Sequence, residues 1–192
     1  MIDTLQHPKI QSALSLAEDI YKGKRRKSGE PVIVHVLDIG RIMDASPHKF
    51  ALDECIAGML HDSIEDSDLE FNFLDAQYGA RVASLVWCLS KPKGMSAYVY
   101  YMALREMSPT VIAIKLCDMY ANLKTCEACD EQWKRQFKSK IKKWGLPLVD
   151  IIMMHGEEWY PHANWLKPKM ESHLTDVGDV KEEDLGEYYQ PS

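Results

Sequence analysis

An apolar run, Ala57–Gly58–Met59–Leu60, leads directly into the pair His61–Asp62, and a second acidic pair, Glu65–Asp66, follows within one helical turn. All four side chains can ligate a metal or move a proton. On a continuous helix, positions i and i+4 share a face, which pairs His61 with Glu65 and Asp62 with Asp66. Burying such groups without partners costs several kcal/mol, so the pattern calls for an ion or a cleft. Two further residues fit the same chemistry. His35 follows a basic loop, and Asp118 ends the apolar run Ile114–Lys115–Leu116–Cys117, where a carboxylate needs a partner. His35, His61, Asp62 and Asp118 together supply two imidazoles and two carboxylates, a set that suits manganese, iron, cobalt or zinc better than a thiolate-seeking ion.

Side chains so far apart in sequence must be gathered by helices facing a common interior. Pro8 is placed to open a helix whose stripe is Ile10, Ala13, Leu14, Ala17 and Ile20. The basic stretch Gly23–Pro31 cannot continue it, because Gly29 and Pro31 break a helix. Val32–His35 reads as briefly extended, with a helix from Val36 to about Ala45. One central helix, from about Asp53 to Ser67 or Asp68, carries the His-Asp and Glu-Asp pairs. Further helices are expected around Val82–Leu89, Ala97–Met107, Pro109–Asp118 and beyond, Asp130–Trp144 and Leu146–His155. Strand-like alternation is nearly absent. The expectation is all-α: a single-domain helical bundle over residues 1–167, a tiny β-hairpin near residues 28–34, and an acidic polar tail over 168–192.

The whole-chain numbers bound the function class. A length of 192 residues allows one domain with an ample core. A net charge of −6 argues against a general nucleic-acid binder while allowing a local basic pocket. The start, Met1–Ile2–Asp3–Thr4, has no secretory pattern, and no apolar run reaches membrane-spanning length. Five cysteines, an odd number mostly in apolar stretches, point to reduced thiols in a cytoplasmic protein. Cys126 and Cys129 lack a second pair and read as a turn with two thiols rather than a zinc site. His7, His48, His155, His162 and His173 have no partner pattern and read as surface or core residues. The lysines of 134–143 read first as the solvated face of an amphipathic helix, with a phosphate-attracting rim as the minority reading.

The order His … His-Asp … Asp resembles the HD superfamily of metal-dependent phosphohydrolases. The flanks are similar to the hydrolase domain of the RelA/SpoT alarmone enzymes and to stand-alone small alarmone hydrolases. Arg25–Arg26–Lys27–Ser28–Gly29–Glu30–Pro31 followed by His35, then His61–Asp62–Ser63–Ile64–Glu65–Asp66, then Lys115–Leu116–Cys117–Asp118–Met119–Tyr120–Ala121–Asn122–Leu123 match that family's segments in order. The resemblance implies that His35, His61, Asp62 and Asp118 bind Mn2+ or a similar divalent transition metal. It gives Glu65 and Asp66 the water-positioning and proton-transfer work, with Glu65 favoured for the transfer. Arg26, Lys27 and Ser28 border the nucleotide, and Lys115 and Asn122 support the substrate or the metal shell. The implied reaction is hydrolysis of the 3′-pyrophosphate of (p)ppGpp to GDP or GTP and pyrophosphate. The implied partner is a small nucleotide, with neither nucleic acid nor membrane involved.

The chain also departs from the family pattern. Met119 stands where Arg is frequent, Ala121 where His or Tyr is frequent, and the 130–144 helix lacks a clear Arg-xxx-Tyr. Phe137 is the candidate replacement for the tyrosine, and Lys134, Arg135 and Lys138 are candidate sources of charge. Two other readings stay open: the same chemistry on another phosphorylated nucleotide, such as a 2′- or 3′-phosphorylated cofactor or a dNTP, and a nucleotide-binding protein with a vestigial centre.

Overall fold

The computed structural model describes residues 6–181 and 185. Expectations placed on Met1–Thr4 and on tail residues 182–184 and 186–192 lie outside the described residues. The architecture is all-α, with the chain packed as two compact units, 1–45 with 49–93 and 46–48 with 94–192. No helix among the described residues is long and apolar enough to cross a membrane.

The first unit contains α1 (Pro8–Ile20), α2 (Val32–Ala45), α3 (Leu52–Met59), α4 (Ser63–Asp66), α5 (Phe71–Tyr78) and α6 (Ala80–Leu89). Pro8 opens α1, and Ile10, Ala13 and Ala17 form its buried stripe. The innermost element is α3, buried at every position from Glu54 to Met59 and packed against α1, α2 and α6. The uncharged run Cys55–Met59 suits a position at the centre of a core.

Two expectations fail here for local reasons. The hairpin near 28–34 is a single antiparallel bridge between Arg25 and Pro31, and Val32 already begins α2. The β-branched run Val32–Ile33–Val34 favours extension, but the 3.6-residue stripe of Val36, Ile39 and Ile42 overrides it. His35 therefore lies in the first turn of a helix. The expected single central helix is broken as well. It stops at Leu60 and resumes at Ser63, with Leu60 and Asp62 near φ −100°, ψ 0°. Asp and Ser compete with the helical backbone for hydrogen bonds, and the break falls where His-Asp-Ser interrupts the apolar run.

Glu54 is buried yet fully engaged. One oxygen accepts from the Ala51 N–H at 2.8 Å and the other from Arg81 Nη2 at 2.7 Å. Glu54→Ala is expected to lower the unfolding free energy by about 2–3 kcal/mol, because it strands a helix N–H and removes a buried charge partner. Urea unfolding with an unchanged midpoint would contradict that role.

The second unit is organised on α8 (Pro109–Thr125), capped by Ser108, with α7 (Ala97–Leu104), α9 (Glu131–Lys140), α10 (Leu146–Met153) and α11 (Tyr160–Ser172). Helix α8 is buried at Val111–Ile114 and Leu116–Met119 and packs on α10 and α11. A wide π-helical turn, Ile141–Gly145, joins α9 to α10. A Cβ at Gly145 would meet Met119 Sδ at 2.9 Å, so any larger residue there requires the Met119 side chain to move. His162 is fully buried, and its Nδ1 lies 2.8 Å from Ser46 Oγ. Helix α11 has no counterpart in the sequence reading. Its signal was Pro161 in the first turn, with Ala163, Leu166 and Met170 buried behind it. Beyond Pro168, α11 continues to Ser172, Leu174 is buried, and Asp176 accepts from Lys138 Nζ at 2.9 Å.

Candidate functional site

The first unit contributes His35, His61, Asp62, Glu65 and Asp66, together with the basic loop. His35 and His61 are 6% and 2% exposed, with ring centroids 5.6 Å apart at 70°. His61 Nδ1 is 3.0 Å from the Gly58 carbonyl, which only an N–H there can satisfy. In the neutral ring that leaves the lone pair on Nε2. Nε2 in turn lies 2.8 Å from Asp62 Oδ2. Two electron-rich atoms held this close require a cation or a proton between them. The helix break makes this possible: adjacent residues on a regular helix diverge, whereas the turn at Leu60–Asp62 lets neighbouring side chains converge.

Beyond the break, Asp66 N–H still donates to the Asp62 carbonyl at 2.9 Å, and Ser67 Oγ donates to the Ser63 carbonyl at 2.6 Å. Glu65 and Asp66 are both exposed. Glu65 Oε2 accepts from the Lys91 N–H at 2.9 Å. Although the residue is exposed, partial enclosure of its carboxyl first, then the charges of Asp62 and Glu65, raise Asp66 above its ordinary value, against Lys24 and His61. Lys24 Nζ donates to the Asp66 carbonyl at 2.8 Å, tying the basic loop to the acidic turn.

In that loop, Arg26 N–H donates to the Glu30 carbonyl at 2.9 Å and Val32 N–H to the Lys24 carbonyl at 3.2 Å. Lys27 is exposed, while Arg26 and Ser28 are half-buried. Ser28 Oγ is buried with no hydrogen-bond partner among the described residues. A polar atom in that state fits a ligand-binding role.

The second unit contributes Lys115, Asp118 and Asn122, which share one face of α8 at i, i+3 and i+7. Asp118 is 5% exposed; Lys115 Nζ is 2.9 Å from its Oδ2, and Asn122 Nδ2 donates to its Oδ1. Asn122 Nδ2 also lies 2.9 Å from the Asp118 carbonyl. Both neighbours therefore orient the carboxylate. The basic face of α9 is arranged differently from the phosphate-attracting rim. Lys138 is buried between Glu127 (2.6 Å) and Asp176, and Lys134 pairs with Glu131 (2.7 Å) and Glu127. Phe137 is buried and stacked on Trp133, with centroids 4.9 Å apart, so packing accounts for it.

With this geometry in hand, comparison with known proteins defines the class. The HD domain family model matches residues 13–143, and the chain belongs to that family. HD domains imply a divalent metal. His35 and His61 in the first unit, and Asp118 in the second, are each buried residues of metal-ligating type. Among relatives, the guanosine-3′,5′-bis(diphosphate) 3′-pyrophosphohydrolase of Vibrio cholerae serotype O1 is 30% identical over 165 residues, covering 79% of this chain and 23% of that protein. The enzyme of the same name from Aquifex aeolicus is 28% identical over 147 residues, 73% of this chain and 21% of the relative. The chain thus spans about a quarter of the length of the curated relatives it matches. A solved structure of a metazoan SpoT orthologue that hydrolyses ppGpp superposes with a TM-score of 0.74 at 21% identity, over 90% of this chain and 97% of that one. That likeness establishes the fold.

Proposed function

We propose that this chain hydrolyses the 3′-pyrophosphate of (p)ppGpp, releasing pyrophosphate and GDP or GTP, with Mn2+ held by His35, His61, Asp62 and Asp118. The observation that carries the reading is the His61–Asp62 pair. His61 Nε2 and Asp62 Oδ2, 2.8 Å apart, ask for a positive charge between them, which a divalent ion supplies. The names of the relatives support the substrate.

When bound, a divalent ion acidifies water and polarises a phosphoryl oxygen, which contributes several kcal/mol. The chain's own residues supply the rest. Gly58 holds the His61 ring through Nδ1, and Lys115 and Asn122 hold Asp118, so neither ligand must reorganise. Glu65, exposed and anchored by the Lys91 N–H, takes the proton from the attacking water, and Asp66 positions that water. Arg26 and Lys27 offset phosphate charge, and Ser28 Oγ gives the nucleotide a hydrogen bond. Residues 1–167 carry this activity, in a cytoplasmic protein acting on a small nucleotide.

The test is pyrophosphate release from ppGpp with and without Mn2+. Release that requires the ion is expected, with Glu65→Gln lowering kcat by about a hundredfold to ten-thousandfold, the usual worth of a positioned base. Metal-dependent release from another 3′-phosphorylated nucleotide but not from ppGpp would move the substrate and keep the centre. Turnover unaffected by Glu65→Gln would overturn the proton-transfer role.

A further inference from the structure

Beside Glu65, wholly within the first unit, lies a cleft of about 280 Å3 bounded by Ile64, Glu65, Trp87, Lys91, Pro92 and Lys93. Of these, only Glu65 and the backbone N–H of Lys91 that anchors it have a part in the chemistry above. Trp87 is 59% exposed on the outward side of α6, whose Val82, Ala83, Val86 and Leu89 are buried. An indole left this open forgoes the burial that normally favours it. It is nonetheless held in place, because Phe71 packs edge-on against it with centroids 6.2 Å apart at 84°. The platform is therefore oriented, and it lines the cleft.

Two features say what such a platform receives. Lys91 and Lys93 line the same cleft as the indole, so cations and an aromatic ring border one space. The Lys91 N–H bond to Glu65 Oε2 joins this lining to the residue assigned to proton transfer, so a ligand in the cleft lies next to Glu65. By contrast, the basic cleft of the second unit, with Lys134, Arg135 and Lys138, has Glu131, Asp176 and Asp179 in the same lining and is charge-balanced from within.

We propose that the Trp87 cleft is a nucleotide subsite: a nucleobase stacks on Trp87 and its phosphate lies against Lys91 and Lys93. The ring supplies sequence-tolerant stacking, and the lysines supply anion affinity. The placement beside Glu65 rests on the reading given under Proposed function; the binding itself does not.

The experiment is a fluorescence titration of the full chain with guanosine 5′-monophosphate, and with inorganic pyrophosphate as an anion lacking a ring. Guanosine monophosphate is expected to quench emission saturably and pyrophosphate to leave it unchanged. Trp87→Leu should abolish that quench and raise the apparent Kd by about tenfold or more, the scale of one stacked base. Trp87→Phe should restore affinity without restoring the signal, measured by calorimetry. Trp87 is exposed, so an unchanged melting temperature in both variants excludes misfolding. Trp87-dependent binding in a protein that hydrolyses no nucleotide would support the subsite and sink the hydrolase reading. Affinity for guanosine monophosphate that is the same in wild type and Trp87→Leu, in a protein that does release pyrophosphate from ppGpp, would overturn the subsite alone.

Discussion

Asp118→Ala is expected to reduce metal-dependent turnover by about a thousandfold or more and to strip the ion from the purified protein. Several kcal/mol of charge stabilisation correspond to that factor at about 1.4 kcal/mol per decade. The substitution also acts on the fold. Asp118 is buried, and its removal leaves the Lys115 ammonium, 13% exposed in its side chain, without its carboxylate partner. Breaking one side of a buried pair costs about 3–5 kcal/mol. Asp118→Asn separates the two effects: it keeps the side-chain volume and a hydrogen-bonding oxygen but lowers charge, so activity falls as far while stability falls less. Metal content per chain and urea midpoints report the two quantities independently. Turnover within tenfold of wild type in Asp118→Ala would remove Asp118 from the ligand set.

The second large effect is on acid stability. Burial, with a contribution from His48, pushes the His162 imidazole down to about 4 from an ordinary value of 6.5, although a bond to the Ala113 backbone works in the other direction. Native His162 is therefore neutral down to about pH 4, while the unfolded chain binds a proton at this residue below about pH 6.5. Stability from this group is complete above pH 6.5 and is lost as pH falls toward 4. The shift corresponds to about 3 kcal/mol. His162→Gln, which keeps a polar partner for Ser46 and cannot titrate, should flatten the dependence of the urea midpoint over that interval. Parallel curves for wild type and His162→Gln would mean that this ring is not held neutral.

The chemistry was more legible in the sequence than the backbone that presents it. His35, His61, Asp62 and Asp118 stand out because carboxylates and imidazoles are conspicuous beside apolar runs, and the structure buries three of the four. The geometry at Asp62 was not visible. Arithmetic in steps of four assumes an unbroken helix, and the backbone leaves helical geometry at Leu60–Asp62. Pro168 discourages a helix reading, yet it lies inside α11. Lys138 looked like part of a solvated stripe because its partners are distant in sequence; Asp176 is 38 residues away. Ser46 and His162 are farther apart still, at 116 residues. Local pattern reports the face of a helix, and only the tertiary fold reports what meets that face.

The buried thiols have a practical consequence for following how the molecule opens. Cys55 in the first unit has its thiol pushed up to about 12, and Cys126 in the second to about 11, in both cases mainly by burial. Only the thiolate attacks an alkylating reagent, so at pH 8 the folded protein presents roughly one reactive form in ten thousand at Cys55 and one in a thousand at Cys126. Modification at either position therefore waits on exposure of the surrounding core, and the two labelling rates act as separate clocks. Rates that rise together with denaturant mean that the units open as one cooperative body; rates that diverge identify which one loosens first.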